Sequence, residues 1–240
     1  MELRPFRASK TTTNRINLIT APLYALLKLP SPAADQCIST TWRLNSSFDE
    51  LIVSFIANQC GISGNFLSDE LALRLTANLN KLFAGKQLNP AGTGNETLAV
   101  FNQLVRGDQI YWLDRKHNDS TENDFFDLMD SFVAHLNETC YTGITGYEFH
   151  YTLYETGAFY KKHLDQFKTN SSRQYSMVMY LNPGWVPADG GELCIYPNSI
   201  AQLIAPMNGK SVFFKSNELE HEVLVTQKPR MSITGWLKRD

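Results

Sequence analysis

The sequence predicts an α+β fold in which N-terminal helices pack against a mainly β core, a jelly roll or sandwich. From Glu148 onward, short apolar, aromatic and β-branched runs alternate with turn signals such as Asn182-Pro183-Gly184 and Asn208-Gly209. Several short strands at this spacing are typical of double-sheet β architectures. Before Glu148, apolar residues recur at helical spacing, which indicates helices with one buried face. The predicted strands are residues 148–155, 175–181, 192–196, 201–204, 211–215, 222–226 and 230–237.

A chain of 240 residues, 43% hydrophobic and 19% charged, is long enough for one globular domain with a sizeable core. We expect residues 46–240 to form that domain and residues 1–45 to form an N-terminal extension. The extension is basic and rich in Ser and Thr, as targeting peptides are, but Pro22 and Lys28 interrupt its apolar run. A poorly ordered extension is therefore the expectation.

Composition excludes several classes of partner. The net charge of −2 gives no basic footprint for nucleic acid. No run of about 18 apolar residues occurs, so we expect no membrane span. The four cysteines are scattered without CxxC pairs, which is typical of reduced thiols. The sequence therefore predicts a cytoplasmic protein.

The helical part contains three predicted helices. Ser47 and Glu50 fit a capping box that would start the first, and Gly61 would stop it. Ser68 precedes the second, and the third begins at about Glu122. Their apolar stripes need no role beyond packing against the β core.

The segment between the second and third helices is a candidate lid or binding loop. Residues 85–105 are rich in Asn, Gly, Thr and Gln. Loops of this length are uncommon unless they act as lids or binding loops. Arg106-Gly107-Asp108 ends the segment, either as an ordinary loop ion pair or as a functional part of that loop.

Three residues form a candidate metal site. His163 and Asp165 are two residues apart, and on an extended strand residues i and i+2 leave the same face. With His221, they would supply two imidazoles and one carboxylate to one side of a metal, as in non-haem Fe(II) oxygenases. Because a His-x-Asp pair arises often by chance, a surface histidine beside a solvated carboxylate is the alternative.

Arg230 is a candidate anchor for an anion. If His221 opens one strand and Arg230 begins the next, a hairpin would direct the guanidinium into the same cavity. A permanently charged fork inside an apolar barrel is expected opposite a carboxylate or phosphate. A structural ion pair is the alternative.

These motifs, in this order, resemble the 2-oxoglutarate- and Fe(II)-dependent dioxygenases. They are most similar to the prolyl hydroxylases of the oxygen-sensing type and their bacterial relatives. The likeness covers roughly residues 47–240. Its motifs are Arg106-Gly107-Asp108-Gln109-Ile110-Tyr111-Trp112, His163-x-Asp165, Tyr180-Leu181-Asn182, Gly190-Gly191-Glu192-Leu193, His221, Arg230 and Ile233-Thr234-Gly235-Trp236.

The resemblance implies a double-stranded β-helix that binds Fe(II), with 2-oxoglutarate as co-substrate, O2 as oxidant and ascorbate as reductant. His163, Asp165 and His221 would hold the metal. Halogenating relatives lack the carboxylate, so the presence of Asp165 favours hydroxylation. 2-Oxoglutarate would be decarboxylated to succinate and CO2.

The resemblance also assigns residues to the co-substrate. The distal carboxylate of 2-oxoglutarate would meet Arg230 and the hydroxyl of Tyr180. Tyr154 matches a tyrosine close to the co-substrate. Thr234 lies on the predicted strand face of Arg230 and would add a hydrogen bond. The alternative for Tyr180 and Thr234 is that they are plain residues of the barrel core.

The expected activity is hydroxylation of a prolyl residue in a protein, for which a translation factor is one candidate. Arg106, Asp108 and Arg173 would shape the entrance for the peptide. The alternatives are an oxygenase acting on a free amino acid, a nucleobase or another small molecule, and a non-enzymatic barrel that binds metal or a partner. The complete triad together with Arg230 argues against the non-enzymatic protein.

Overall fold

The computed structural model describes residues 35–92, 104–166 and 171–239, with side chains from residue 47 onward. Most of the predicted N-terminal extension and residues 93–103 of the predicted lid or binding loop lie outside these residues. The helices are α1 Asp35–Asn58, α2 Asp69–Ala84 and α3 Ser120–Cys140. The strands are β1 Cys60–Ser63, β2 Asn89–Pro90, β3 Asp108–Trp112, β4 Gly146–Tyr154, β5 Tyr160–His163, β6 Arg173–Tyr180, β7 Leu193–Ile195, β8 Gln202–Ile204, β9 Ser211–Lys215, β10 His221–Val223 and β11 Arg230–Lys238.

The strands form two antiparallel sheets that face each other. Within the described residues, the larger sheet has the order β1-β9-β6-β11-β4-β3-β2, and the smaller one has the order β5-β10-β7-β8. Strands that are neighbours in space are mostly distant in sequence, as expected of a double-stranded β-helix. The predicted jelly-roll core behind N-terminal helices is therefore confirmed.

Alternation along the strands of the larger sheet creates two separate cores, because successive side chains point to opposite faces. On β6, Met177 and Met179 pack against the helices, whereas Val178 and Tyr180 point between the sheets. The helix-side core also contains the buried faces of α2 and α3. The inter-sheet core forms the floor of the site described below.

Two helix starts follow from local hydrogen bonding, and one predicted start is wrong. The Ser68 side chain accepts a hydrogen bond from the backbone N–H of Leu71 at the start of α2, and Asp119 caps α3. Helix α1, however, begins at Asp35 rather than at Ser47. No Gly or Pro interrupts residues 35–58, so the helix extends through the predicted cap.

The predicted hairpin between His221 and Arg230 is also wrong. His221 opens β10 and Arg230 begins β11, as expected, but β10 lies in the smaller sheet and β11 in the middle of the larger one. The connection crosses from one sheet to the other, so Arg230 enters the inter-sheet space from the side opposite His221.

None of the helices in the described segments is long and apolar enough to cross a membrane.

Candidate metal centre and co-substrate pocket

The three predicted metal ligands converge on the smaller sheet. His163 closes β5 and pairs with His221 at the start of β10, while Asp165 lies in the turn after β5. Their ligand atoms all lie within 4.8 Å of one another. Oδ1 of Asp165 is 3.5 Å from Nε2 of His163 and 3.7 Å from Nε2 of His221. The carboxylate thus reaches the metal position from a turn, and not from a strand face as the two-residue spacing suggested.

Backbone carbonyls orient both imidazoles. Nδ1 of His163 lies 2.7 Å from the carbonyl oxygen of Lys161, and Nδ1 of His221 lies 3.1 Å from that of Leu219. Because a carbonyl can only accept, Nδ1 carries the proton and the Nε2 lone pair faces the site. Burial lowers the pKa of His221, which keeps that ring neutral, the form that binds metal.

Asp165 is held ionised despite its burial. Burial alone would raise its pKa, but the neighbouring His221 and His163 and a hydrogen bond from Ser176 outweigh that effect and hold the pKa well below its usual range. Ser176 Oγ donates to Oδ2 of Asp165 at 2.6 Å and lies 2.9 Å from Ser216 Oγ. Oδ1 is left for the metal. Two nitrogens and one carboxylate oxygen on one side fit Fe(II) with open positions.

Arg230 provides a buried positive charge between the sheets. Arg230 is only 3% exposed, and its Nε donates a hydrogen bond to the carbonyl oxygen of Gly191 at 2.8 Å. Among the described residues, no carboxylate lies within ion-pair distance of it. Buried charges are normally paired, so the site is built to receive an anion.

Tyr180 supplies a hydroxyl beside that charge. Its ring centroid lies 5.1 Å from the guanidinium carbon of Arg230. Its hydroxyl is buried without a hydrogen-bond partner within the described chain, although buried hydroxyls are normally bonded. Burial raises the pKa of Tyr180 to about 12, so the hydroxyl stays protonated and can donate. An orphaned donor next to an unpaired guanidinium fits the distal carboxylate of 2-oxoglutarate.

Gly191 allows Arg230 to reach this position. Gly191 has φ of +74°, and a Cβ on it would lie 2.9 Å from Thr226 Oγ1 and 3.0 Å from Arg230 Cδ. A side chain here would therefore displace the arginine. Gly191 therefore shapes the anion pocket, whereas a Cβ on its neighbour Gly190 would meet the carbonyl oxygen of Val225.

The remaining predicted co-substrate residues also line this space. Tyr154 on β4 pairs with Arg230 on β11, and its ring centroid lies 5.0 Å from the guanidinium carbon. Thr234 lies on the same strand face as Arg230, and its Oγ1 is 3.4 Å from Ser232 Oγ. All four predicted residues, counting Tyr180, thus lie around one buried region.

One cavity of about 780 Å³ joins the metal site to Arg230 and opens to the surface. Its inner walls are Val178 and Thr234 on the larger sheet and Leu193 and Val223 on the smaller. Charged and aromatic side chains also line the cavity, and the exposed ones, such as Trp112 and Lys162, lie at its mouth. The charged and aromatic residues of the lining include Arg106, Asp108, Trp112, Glu148, His150, Tyr160, Lys161, Lys162, Arg173, Trp236 and Lys238.

The predicted entrance residues all line this cavity, and each is engaged within the protein. Arg106 forms a bidentate ion pair with Asp108. The Nε–Oδ1 distance is 2.7 Å and the Nη2–Oδ2 distance is 2.6 Å. Arg173 pairs with Glu148 at 2.7 Å, and its guanidinium carbon lies 3.4 Å from the ring centroid of Trp236. Arg173 and Trp236 therefore form a rigid flat surface at the mouth.

Some residues of the cavity were missed from the sequence. His150 shows no ligand spacing in the sequence, but it is 3% exposed and lines the cavity. Its ring centroid is 4.9 Å from that of Trp112. Alternation along β4 could have identified His150 as a cavity residue. Glu148, His150 and Thr152 are every second residue before Tyr154 and therefore share its face of the strand. Ser176 carried no such signal, because its partner Asp165 lies on another element.

Comparison with known proteins agrees with this geometry. The family model of the 2OG-Fe(II) oxygenase superfamily matches residues 149–238. A Pseudomonas putida prolyl-4-hydroxylase is 31% identical, covers 80% of this chain and 99% of its own, and superposes with a TM-score of 0.72. A Trichoplax adhaerens prolyl hydroxylase, solved with a peptide fragment of the hypoxia-inducible factor oxygen degradation domain, is 23% identical. It covers 85% of this chain and 94% of its own with a TM-score of 0.73, which supports the fold.

Among curated proteins, a prolyl 3-hydroxylase of Xenopus laevis, OGFOD1, is 32% identical over 75 residues. That match includes 27% of this chain but spans only 15% of the frog protein's length.

The fold and the site together define a non-haem iron oxygenase: the chain belongs to the 2-oxoglutarate- and Fe(II)-dependent oxygenase superfamily. Within that superfamily it belongs to the prolyl hydroxylase family, and it is an oxidoreductase. Membership implies Fe(II), 2-oxoglutarate and O2, which agrees with the ligand set of His163, Asp165 and His221.

Proposed function

We propose that the protein hydroxylates a prolyl residue within a protein or peptide. The observation that carries this proposal is the 31% identity to the Pseudomonas putida prolyl-4-hydroxylase across 99% of that chain. The carboxylate of Asp165 lies beside His163 and His221. It supports hydroxylation, because the family resemblance implies that halogenating relatives lack this carboxylate.

The reaction inserts one atom of O2 into a C–H bond of proline and the other into succinate, which forms from 2-oxoglutarate with loss of CO2. Bound Fe(II) would supply the activation of O2. The chain's own residues set the geometry: His163, Asp165 and His221 would hold the metal from one side. Arg230 and Tyr180 would bind the distal carboxylate of 2-oxoglutarate, since the Tyr180 hydroxyl and the terminal guanidinium nitrogens of Arg230 have no ion-pair or hydrogen-bond acceptor in the described chain.

The mouth of the cavity suits an extended peptide with a small ring. Trp112 is 45% exposed there, close to Trp236, whose ring centroid lies 6.3 Å away. Arg173 covers the Trp236 ring and is fixed by Glu148. Flat aromatic surfaces contact the apolar face of a pyrrolidine ring, while polar side chains at the rim can bond to the peptide backbone.

A reaction with purified components tests the proposal. The protein is incubated with Fe(II), 2-oxoglutarate, ascorbate and a library of proline-containing peptides, and mass spectrometry records peptides that gain one oxygen. We expect hydroxyproline and succinate in equal amounts, with ascorbate sustaining turnover. The Asp165→Ala variant should form neither. Oxidation of free amino acids or nucleobases, with no proline-containing peptide oxidised, would instead favour the small-molecule oxygenase.

The substrate protein is to be identified in cells. Proline oxidation is compared across the proteome between cells with the protein, cells without it and cells that carry only the Asp165→Ala variant. In a genuine substrate, one proline should carry the added oxygen in cells with the protein. The same proline should lack it in cells without the protein and in cells that carry only the Asp165→Ala variant. A translation factor is the candidate to examine first, and its unchanged oxidation would exclude it.

A further inference from the structure

An aromatic ring backs one of the two histidine ligands. The ring centroids of Tyr160 and His163 lie 3.6 Å apart, and the ring planes differ by 17°, so the two rings are stacked. The guanidinium carbon of Arg106 lies 4.2 Å from the Tyr160 centroid. Because His163 covers one face of the tyrosine at this distance, the guanidinium covers the other. Guanidinium, phenol and imidazole thus form a stack of three.

The outer member of this stack is fixed in place. Arg106 forms the bidentate ion pair with Asp108, whose side chain is fully buried, and also donates to the carbonyl of Gly92 at 3.2 Å. A planar guanidinium held at both edges has one orientation, which fits it for stacking on an aromatic face. Asp108 does not reach the metal site directly.

Backbone hydrogen bonds keep the stack in register. Gly107 N–H donates to the carbonyl of Phe159 at 3.0 Å, and Lys161 N–H donates to that of Val105 at 2.9 Å. Between these two hydrogen bonds, Arg106 and Tyr160 are partners in an isolated antiparallel β-bridge. The short segment before β3 is therefore attached to β5, the strand that ends in a metal ligand. Through it the larger sheet is joined to the smaller one at the mouth of the cavity.

The two histidines differ in how much else holds them. The His221 side chain is 6% exposed and contacts the edge of Phe214 at 4.8 Å between ring centroids. The His163 side chain is 17% exposed and lies at the end of its strand. Besides the carbonyl at Nδ1 and the ring of His221, whose centroid lies 4.3 Å away, the His163 ring contacts Tyr160, which stacks on it and limits its rotation.

We propose that Tyr160 and Arg106 are positioning residues for the metal ligand His163. The stack holds the imidazole in its ligating orientation before the metal arrives, and the Asp108 pair keeps Arg106 over the tyrosine. Preorganised ligands bind metal more tightly because less side-chain freedom is lost on binding. The role requires the aromatic ring of Tyr160 and not its hydroxyl.

Metal affinity of the apoprotein tests this without any turnover. Co(II) is titrated into anaerobic apoprotein while its visible absorption, which reports coordination geometry, is recorded. We expect Tyr160→Leu to weaken Co(II) binding by about 10–100-fold, the usual effect of losing an orienting neighbour, and to alter the spectrum. Tyr160→Phe should retain both affinity and spectrum. If Tyr160→Leu is misfolded by circular dichroism, Tyr160→Met replaces it.

Tyr111→Leu is the matched control, because Tyr111 also lies beside a histidine, His117 at 5.3 Å between centroids, but far from the ligands. It should not change Co(II) binding. Equal loss in Tyr111→Leu and Tyr160→Leu, or unchanged binding in Tyr160→Leu, would overturn the proposal.

A double-mutant cycle assigns the role of the arginine. Arg106→Gln combined with Asp108→Asn removes both charges and so leaves no buried ion unpaired. This pair of changes should weaken Co(II) binding when Tyr160 is present and have little further effect on Tyr160→Leu, since Arg106 acts through the tyrosine. Fully additive losses would show that Arg106 acts independently. The inference rests on the metal site and not on the substrate, so a failed peptide assay would leave it standing.

Discussion

Ser176 is placed to contact neither metal nor co-substrate, yet its hydroxyl holds one carboxylate oxygen of Asp165 at 2.6 Å. That bond leaves Oδ1 turned toward both histidines. The positions of the ligating atoms are therefore set by side chains and carbonyls that ligate nothing themselves, such as Lys161 and Leu219 behind the two imidazoles.

At the residue scale, we predict that Ser176→Ala weakens Fe(II) or Co(II) binding by about tenfold or more, because the Asp165 carboxylate becomes free to rotate. Ser211→Ala is the matched control. Ser211 lies on β9, the neighbouring strand, and its buried Oγ has no hydrogen-bond partner in the described part of the chain. Its loss should leave metal binding unchanged. Similar metal affinities in the two variants would contradict this account.

A second prediction at this scale concerns Arg230. Arg230→Ala should cost about 2–5 kcal/mol of binding free energy for 2-oxoglutarate, since the distal carboxylate would be buried without its charged partner. The 2-oxoglutarate concentration at half-maximal succinate formation should thus rise well over tenfold, while Co(II) titration should show unchanged metal binding. Arg115→Ala, which removes an exposed arginine from a surface ion pair, is the control. A parallel loss of metal would mean that Arg230 is structural.

At the scale of elements, strand β11 depends on a glycine that its neighbours leave no room to replace. A Cβ on Gly235 would lie 2.2 Å from both the carbonyl oxygen of Glu148 and the Phe149 ring on β4. The glycine therefore allows the two strands at the centre of the larger sheet to pair closely, directly beside Thr234 and Trp236 in the cavity.

We predict that Gly235→Ala lowers the free energy of unfolding by about 1–3 kcal/mol or more, because the added methyl must displace backbone or a packed ring. Gly146→Ala is the matched control, since nothing lies within 4 Å of its Cβ position at the start of β4. Urea unfolding followed by circular dichroism gives both values. Equal stability of the two variants would show that the sheet yields at little cost.

The elements also show how far sequence patterns extend. Strands such as β9 and β11 are predictable because each is a run of apolar, aromatic and β-branched residues that follows a turn signal. The strand Asp108–Trp112 is not among the predicted strands, because it is short and partly polar, and it pairs mainly with β4. The stack of Tyr160 on His163 could not be predicted, because spacing along the chain does not determine ring orientation.

At the scale of the whole molecule, the sequence indicated which side chains converge on the cavity but not how they are arranged. Motif order placed Arg230 near the metal ligands, but only the crossing between sheets places it opposite them. Such crossings depend on which strands pair at long range, and no local pattern records that choice. For the same reason, the turn position of Asp165 could not be deduced.

The buried His150 gives the whole molecule a pH-dependent stability. Burial lowers its pKa from 6.5 to about 4 in the folded protein. The unfolded chain therefore binds more protons than the folded chain between these pH values. The contribution of His150 to the free energy of unfolding is thus fully present above pH 6.5 and is lost as the pH drops toward 4. At about 1.4 kcal/mol per pH unit, this amounts to roughly 3 kcal/mol.

We predict that His150→Phe, which keeps an aromatic ring between Trp112 and Trp236, loses less stability than the wild type between pH 7 and pH 4. Urea unfolding at several pH values measures the difference. His135→Phe is a control, since His135 lies outside the cavity and its partner Asp49 has a largely exposed side chain. An identical loss in His150→Phe and the wild type would contradict the assignment.

The crossing between β10 and β11 has a further consequence. The metal ligands belong to one sheet and its following turn, and Arg230 belongs to the other. Packed sheets keep a nearly fixed separation of about 10 Å, so the fold itself would set the distance between the two anchors proposed for 2-oxoglutarate. The barrel would then select dicarboxylic acids by length. An acid one carbon shorter or longer would reach only one of the two anchors at a time.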